Sequence, residues 1–153
     1  LARELEQREV SHPRGPISVE AAAQIATRRA FYEVRAAHLP GTKHWCSAGS
    51  TAWTVVFEAD ALFSLSCLNR FIYVKKVTGL TEALQGADAI RHQVSTVGLA
   101  SGIQQTQELA TQLARWGATR VCPLGQMQKP PLTWRHDGRP PLGDLVTWTD
   151  WEQ

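Results

Sequence analysis

The sequence predicts an α/β fold in which helices flank a partly parallel sheet. Segments with helical periodicity alternate with short segments in which apolar and polar residues alternate, as expected for strands joined by helical crossovers. The composition is 43% hydrophobic and 20% charged over 153 residues, which supplies enough apolar side chains for a folded core. A proline-rich terminal segment adds an extended arm to this fold.

Two helices are predicted before the first strand. A weakly amphipathic helix spans Ala2–Val10 and is interrupted by the sequence HPRGP. Ser18 then precedes a run of apolar residues at helical spacing that continues to about Ala37, and its hydroxyl is a favoured N-cap. This second helix carries three arginines, Arg28, Arg29 and Arg35. We assign them to a solvated helix face in preference to an anion site.

Strand periodicity replaces helical periodicity after Pro40. His44–Cys46 and Trp53–Glu58 are predicted as strands, separated by a turn of small residues. A third strand is predicted over Leu68–Val77, where neither alternating face is wholly polar. These three strands are expected to form the core of the sheet.

Helices and strands continue to alternate in the second half. A helix capped by Thr81 is predicted to run toward His92, and Val94–Leu99 follows as a strand, which completes a β-α-β unit. A further helix covers Gln104–Trp116 and ends at Gly117, a residue type typical of helix C-termini.

The segment after this helix is predicted to be an arm with a strand at each end. Five of the eight prolines fall between Pro123 and Pro141, which excludes a long helix or a central strand there. Thr119–Cys122 and Leu145–Trp151 are both β-prone. Because an exposed strand needs a partner edge, we expect the terminal strand to join a homo-oligomer.

Composition and charge exclude several classes of protein. A formal net charge of +2, spread evenly along the chain, does not indicate a nucleic-acid-binding surface. No apolar run is long enough to cross a bilayer. The three cysteines, Cys46, Cys67 and Cys122, lack the spacing of a metal site or a disulfide framework, so we expect reduced thiols in a cytoplasmic protein without a metal.

Three short motifs are candidate sites. His136 and Asp137 precede Gly138 and could form a base with its orienting carboxylate, but a tight Asp-Gly turn is the preferred interpretation. Asn69-Arg70 places a cation among apolar residues, where an internal ion pair is the default and a phosphate or carbonyl partner is the alternative. Gly98–Gly102 opens a helix as a phosphate-binding loop does, but it lacks the glycine spacing of such loops.

Four runs, in order along the chain, resemble the carboxy-terminal part of LuxC-type acyl-CoA reductases, within the aldehyde dehydrogenase superfamily. They are Ser50–Glu58, Ser66–Arg70, Ser95–Ala100 and His136–Gly138, the last followed by Leu145-Val146. The resemblance extends from about Ser18 to the end of the chain. It implies reduction of a fatty acyl thioester such as acyl-CoA to an aldehyde with NADPH, through an acyl-enzyme on a cysteine.

The resemblance also implies roles for particular segments. None of Cys46, Cys67 and Cys122 matches the nucleophile motif of the family, so the catalytic cysteine is expected upstream of Leu1, and the chain is expected to be a fragment of a longer enzyme. Ser66, Asn69 and Arg70 would lie near the nicotinamide ribose and bind the cofactor, although the usual glutamate of that segment is missing. His136 and Asp137 would contact substrate or form a structural turn.

The same resemblance divides the chain into three parts. Residues 1–100 would belong to the catalytic-type domain, 101–125 would return to the dinucleotide-binding domain, and 126–153 would form the arm that joins a neighbouring subunit. Enzymes that transfer acyl groups are further possible partners. The alternative to a reductase is a non-catalytic α/β module that binds a partner or a small molecule, and a nucleotide-binding protein that uses Gly98–Gly102 is a weaker third option.

Overall fold

The structure is a computed structural model that describes residues 1–140, 143–145, 147 and 149–152. It contains helices together with small parallel and mixed sheets, which confirms the predicted α/β class. The chain divides into two compact units, Leu1–Ala87 and Asp88–Gln153. The assignment of 1–100, 101–125 and 126–153 to separate parts of a larger enzyme remains a prediction.

The first unit is a three-stranded sheet with helices around it. Its elements, in chain order, are α1 (Ala2–Ser11), α2 (Val19–His38), β1 (Thr42–Cys46), β2 (Thr54–Glu58), β3 (Phe71–Lys75) and α3 (Leu80–Gly86). The sheet order is β1-β2-β3, with β1 antiparallel and β3 parallel to the central β2. The sheet is therefore partly parallel, as predicted.

The two long helices lie on opposite faces of this sheet. Successive side chains of a strand point to opposite faces, so neighbouring residues of β2 enter different cores. Val56 is fully buried in a cluster with Ile25 and Tyr32 of α2. Val55 is buried on the other face, where Leu5 of α1 packs against its cluster. Both helices begin and end close to the predicted positions.

The start of α2 follows from the predicted cap. The Ser18 hydroxyl accepts a hydrogen bond from the backbone N–H of Ala21 at 3.2 Å, which satisfies one of the amides that the first turn leaves open. The pKa of Glu20 in the same turn lies below its usual value because of a hydrogen bond from its own backbone and one from Ser18.

The prediction that the α2 arginines form a solvated face holds for Arg28, which is exposed, and is wrong for Arg29 and Arg35, which are half-buried. Arg29 donates hydrogen bonds to the carbonyl of Trp53 at 2.7 Å and to the Thr54 hydroxyl at 2.8 Å, and so holds the loop between β1 and β2 against the helix. Arg28 donates to the Tyr73 hydroxyl at 3.1 Å. The sequence showed the helical spacing of these residues but not which polar groups the sheet would present to them.

A buried carboxylate joins the helix to both parallel strands. Glu58 at the end of β2 is only 4% exposed. Its Oε2 lies 2.6 Å from Nζ of Lys75 on β3, and its Oε1 lies 3.1 Å from Nε of Arg35 on α2. Lys75 also reaches Oδ1 of Asp60 at 3.0 Å. Two carboxylates and two cations thus neutralise one another where β2 and β3 end.

The second unit contains a parallel pair of strands joined by a helix. Its elements are β4 (Val97–Leu99), α4 (Ile103–Trp116) and β5 (Val121–Pro123), with short 3₁₀ turns at Asp88–Ile90 and Gly143–Leu145. The strands β4 and β5 pair in parallel, so α4 is the crossover between them. Gly117, with φ of 120°, ends α4 as predicted.

The structure corrects the predicted bounds of two elements and one predicted connection. The third strand begins at Phe71 and not at Leu68, because the three preceding residues have positive φ angles. The cap of α3 is Gly79 and not Thr81, and the helix ends at Gly86. The predicted β-α-β unit through α3 is wrong, because β3 and β4 belong to different sheets.

Gly86 is the last residue of α3, and its backbone lies against the backbone of the loop that follows β2. Its carbonyl accepts a hydrogen bond from the amide of Phe63 at 2.9 Å. A Cβ atom at this position would lie 1.9 Å from the carbonyl oxygen of Ala61, which no real contact tolerates. The loop after β2 is thus fastened to α3 at a position that excludes any side chain.

The first strand of the arm is present as β5, close to the predicted Thr119–Cys122. The terminal strand, Leu145–Trp151, includes Val146 and Trp148, which lie outside the described residues. Leu145 itself lies in a 3₁₀ turn. The pairing of this segment with a neighbouring subunit therefore remains a prediction.

Replacement of Glu58 by Gln is expected to lower the free energy of unfolding by about 3 kcal/mol, because Lys75 and Arg35 lose their shared counterion at a buried position. Chemical denaturation monitored by circular dichroism measures this change. Glu33→Gln is the control, because Glu33 is exposed on α2, the helix that also carries Arg35. This replacement should lower the free energy of unfolding by less than about 0.5 kcal/mol. Equal losses in the two variants would refute the structural role of Glu58.

Candidate functional site

The segment between Ser66 and Phe71 has the most unusual backbone of the first unit. Leu68, Asn69 and Arg70 have φ angles of 64°, 51° and 62°, three successive left-handed residues without a glycine. This conformation costs roughly 1–2 kcal/mol for each ordinary residue. Such strain persists only where surrounding contacts determine it, and it is concentrated at functional sites. The segment also contains the three residues that the family resemblance assigns to the cofactor.

Ser66 holds the two ends of this turn together. Its hydroxyl donates a hydrogen bond to the carbonyl of Phe71 at 2.6 Å and accepts one from the amide of Leu68 at 3.0 Å. The amide of Phe71 in turn donates to the carbonyl of Leu68 at 2.9 Å. The Ser66 hydroxyl is therefore engaged within the turn.

Arg70 fastens the turn to the end of α1. Its guanidinium contacts Oε2 of Glu9 at 2.5 Å and donates to the carbonyl of His12 at 2.9 Å. The carbonyl of Arg70 accepts a hydrogen bond from the amide of Thr54 at 2.9 Å, at the start of β2. The ion pair that we took as the default for Arg70 is thus present. Neither Glu9 nor His12 was identified as its partner from the sequence, because their distance along the chain carries no signal of contact.

Asn69 lies between these two anchored residues. It is half-buried, and among the described residues its side-chain amide has no hydrogen-bond partner. Asparagine tolerates the left-handed region better than most residues, which suits it to the middle of the turn. Of the three predicted cofactor residues, Asn69 is the one with a polar side chain available to a ligand.

Cys67 lines a hollow of about 330 Å³ between the turn and α2. Burial raises the pKa of its thiol above the usual value, and the opposing effects of its backbone hydrogen bond and of Arg28 and Arg29 do not offset that rise. A thiol in this setting is protonated at neutral pH and is a poor nucleophile. The hollow is also lined by Ala23, Gln24 and Thr27, for which the sequence gave no signal of a site, and by Arg28, for which an anion site was the less favoured interpretation.

Only part of this turn is accessible to a cofactor. A dinucleotide needs donors for its phosphates and partners for its ribose hydroxyls. Here the Ser66 hydroxyl and the Arg70 guanidinium are engaged within the protein, and Asn69 and the hollow beside Cys67 remain accessible. These residues suit contact with part of a nicotinamide nucleotide and do not form a complete binding site.

His136 and Asp137 lie in the second unit and form the predicted turn. Asp137 and Gly138 have φ angles of 49° and 79°, and the amide of Arg139 donates to the carbonyl of His136 at 3.0 Å, as in a two-residue hairpin turn. The two side chains nevertheless meet, with 3.0 Å between Nδ1 of His136 and Oδ2 of Asp137. Both remain largely exposed, and the His136 ring packs edge-on against Trp134 with centroids 4.8 Å apart.

The loop Gly98–Gly102 serves as the entry to α4. Gly102 is the N-cap with an ordinary φ of −64°, and the Ser101 and Thr106 hydroxyls lie 3.0 Å apart within the first turn. A hollow of about 260 Å³ lies beside them at the ends of β4 and β5. These contacts are those of an ordinary helix start.

Comparison with known proteins identifies the family. A family model described as acyl-CoA reductase (LuxC) matches residues 1–148, which includes the residues before Ser18 that the resemblance had not covered. No curated protein matches the chain. None of the helices in the described residues is long and apolar enough to cross a membrane. Because the match covers nearly the whole sequence, the chain belongs to the LuxC family of acyl-CoA reductases.

Proposed function

We propose that the chain is the carboxy-terminal part of a cytoplasmic enzyme that reduces fatty acyl-CoA to fatty aldehyde with NADPH. The family match over residues 1–148 is the observation that supports this activity. The reaction replaces the C–S bond of the thioester by a C–H bond and releases coenzyme A as its thiol, with hydride supplied by the bound nicotinamide. Three free cysteines support the cytoplasmic location.

The nucleophilic cysteine is proposed to lie outside this chain. Burial keeps Cys67 protonated. Cys46 and Cys122 lie within the strands β1 and β5. A catalytic thiol needs a helix amino end or an adjacent base to form its thiolate, and neither the last residue of β1 nor the middle residue of β5 lies at a helix amino end.

The isolated chain is therefore expected not to oxidise NADPH in the presence of tetradecanoyl-CoA, whereas the complete reductase that carries it does. Serine replacements of Cys46, Cys67 and Cys122 in the complete reductase should leave the rate within about twofold, since none of them carries the acyl group. Absorbance at the NADPH band measures both rates. A Cys67→Ser variant that loses all activity and acyl-enzyme formation would overturn this assignment.

Asn69 is proposed to contact the cofactor directly, while Ser66 and Arg70 keep the turn in place. This division follows from the hydrogen bonds that engage Ser66 and Arg70 within the protein. A neutral hydrogen bond to a ligand contributes about 1 kcal/mol, or roughly fivefold in affinity. The remaining cofactor contacts are proposed to come from other parts of the enzyme.

Asn69→Gly in the complete reductase is expected to raise the KM for NADPH about fivefold, because glycine keeps the positive φ but removes the side-chain amide. Leu68→Gly is the matched control, since it introduces the same residue in the same turn at an exposed side chain and should leave the KM unchanged. Steady-state kinetics with thermal melting as a check on folding distinguishes the two. An unchanged KM in Asn69→Gly excludes cofactor contact by Asn69.

The enzyme is proposed to form homo-oligomers through Leu145–Trp151 and to receive acyl groups from acyl-transferring partner enzymes. The support for the first proposal is the β-prone, tryptophan-bearing sequence of that segment. The support for the second is membership of the family, whose substrate is acyl-CoA.

Deletion of residues 143–153 is expected to lower the oligomeric state in sedimentation velocity experiments, because the proposed strand can no longer extend the sheet of a neighbouring subunit. Leu132→Ser is the control, since Leu132 is fully exposed in the same arm and its replacement should leave the mass distribution unchanged. A deletion variant with the mass distribution of the unmodified protein would contradict the proposal.

One observation favours the alternative of a non-catalytic α/β module. Two of the three residues assigned to the cofactor, Ser66 and Arg70, use their polar groups within the chain. Under this alternative the turn is purely structural. The kinetic comparison of Asn69→Gly with Leu68→Gly separates the two functions, because a structural turn would change stability without changing the KM for NADPH.

A further inference from the structure

A cavity of the first unit lies on the face of the sheet opposite α2. Its volume is about 550 Å³, within the range of about 300–1,000 Å³ typical of ligand pockets. The residues that line it are Leu1, Ala2, Arg3, Glu4, Trp45, Val55, Phe57 and Val74. The cluster around the Ser66–Phe71 turn shares none of these residues, so this groove is a separate feature of the same unit.

The register of the sheet explains why the groove is apolar. Trp45 pairs with Val55, and Phe57 pairs with Val74, so these four side chains lie on one face. The helix α1 covers Val55 through Leu5 but leaves the neighbouring side chains partly open. Trp45 is 43% exposed and Val74 is 36% exposed. An apolar channel thus runs along the sheet beside α1.

Charged residues lie at the rim of this channel. Arg3 and Glu4 belong to the first turn of α1 and line the cavity. Lys43 pairs with Phe57 in the antiparallel register and therefore lies on the same face of the sheet. Arg3 at the cavity and Lys43 opposite Phe57 are two cations that an anionic group on this face can reach. An apolar channel with cations beside it is complementary to an amphipathic molecule that has an anionic head.

We propose that this groove binds a long unbranched acyl chain, with the anionic end of the molecule near Arg3 and Lys43. The inference rests on the proposed function, because the family acts on acyl-CoA, and it adds a place on this chain where the apolar part of such a substrate is held. The shared chemistry is the acyl chain, which acyl-CoA and a free fatty acid both carry. A protein segment in the groove is the competing occupant that the experiment has to exclude.

The binding test uses the isolated chain and isothermal titration with decanoyl-CoA, dodecanoyl-CoA and coenzyme A, each below its critical micelle concentration. Each buried methylene should strengthen binding about fourfold, so two methylenes should strengthen it about fifteenfold. Coenzyme A without an acyl chain should not bind measurably. Titration with dodecanoate then tells whether the thioester head or any anionic head is accepted. Absence of acyl-CoA binding, or equal affinities for coenzyme A and dodecanoyl-CoA, overturns the proposal.

Two valine variants locate the site. Val74→Asp places a carboxylate in the channel and should weaken dodecanoyl-CoA binding about tenfold or more. Val77→Asp is its matched control, because Val77 is also 36% exposed but does not line the cavity, and its affinity should equal that of the unmodified chain. Thermal melting of both variants shows whether they fold. Equal affinities in the two variants would place the acyl chain elsewhere and overturn the proposal.

Trp45 provides a second measurement that does not depend on a destabilising variant. A bromine-substituted dodecanoate bound in the groove should quench the fluorescence of Trp45, which lines the cavity. Replacement of Trp45 by Phe should reduce the quenching to that of the buried Trp53 on the same face of the sheet, whereas Trp134→Phe should leave it unchanged, since Trp134 belongs to the other unit. Quenching of undiminished extent in Trp45→Phe refutes the site. Both measurements use binding alone, so a reductase that is active while its isolated chain fails to bind acyl-CoA refutes this inference and leaves the proposed function standing.

Discussion

The carboxylate of Glu58 holds β2, β3 and α2 of the first unit together. A buried carboxylate is tolerated only when cations and hydrogen-bond donors surround it. Lys75 lies opposite Glu58 in the parallel register, so their contact ties β2 to β3. Arg35 adds the helix on that face. Burial alone would raise the pKa of Asp60, but its hydrogen bond from Lys75, together with one from the Leu62 amide, holds that pKa below the usual value. One lysine therefore pairs with two carboxylates at the end of the sheet.

The periodicity of the sequence was sufficient to predict the helices and strands, but it could not predict their partners. The cap of α2 at Ser18 and the end of α4 at Gly117 depend on local backbone chemistry, and both were predicted. The parallel pairing across α4 was missed, and one across α3 was expected in its place. Strand pairing depends on contacts between residues far apart in the chain, and a single sequence does not reveal them.

The turn between Ser66 and Phe71 was also only partly predictable from the sequence. Its polar residues were identified as candidates, yet the left-handed backbone of Leu68 and Arg70 was not, because nothing in these residue types indicates a positive φ. The strain is sustained by hydrogen bonds at both ends, from Ser66 within the turn and from Arg70 to the end of α1. Residues that looked suited to bind a ligand therefore also maintain the backbone on which a ligand site would depend.

The contact at Gly86 limits how the nearby surface of this chain can be altered. The loop held by Gly86 carries exposed apolar side chains, among them Leu62 and Leu65. A side chain at position 86 would collide with the backbone of this loop. Any replacement of Gly86 therefore requires the backbone of the loop or of the end of α3 to move. Substitutions in the loop itself are sterically free by comparison. The apolar side chains of this patch can thus be replaced singly, whereas a side chain at Gly86 requires the backbone of both segments to shift.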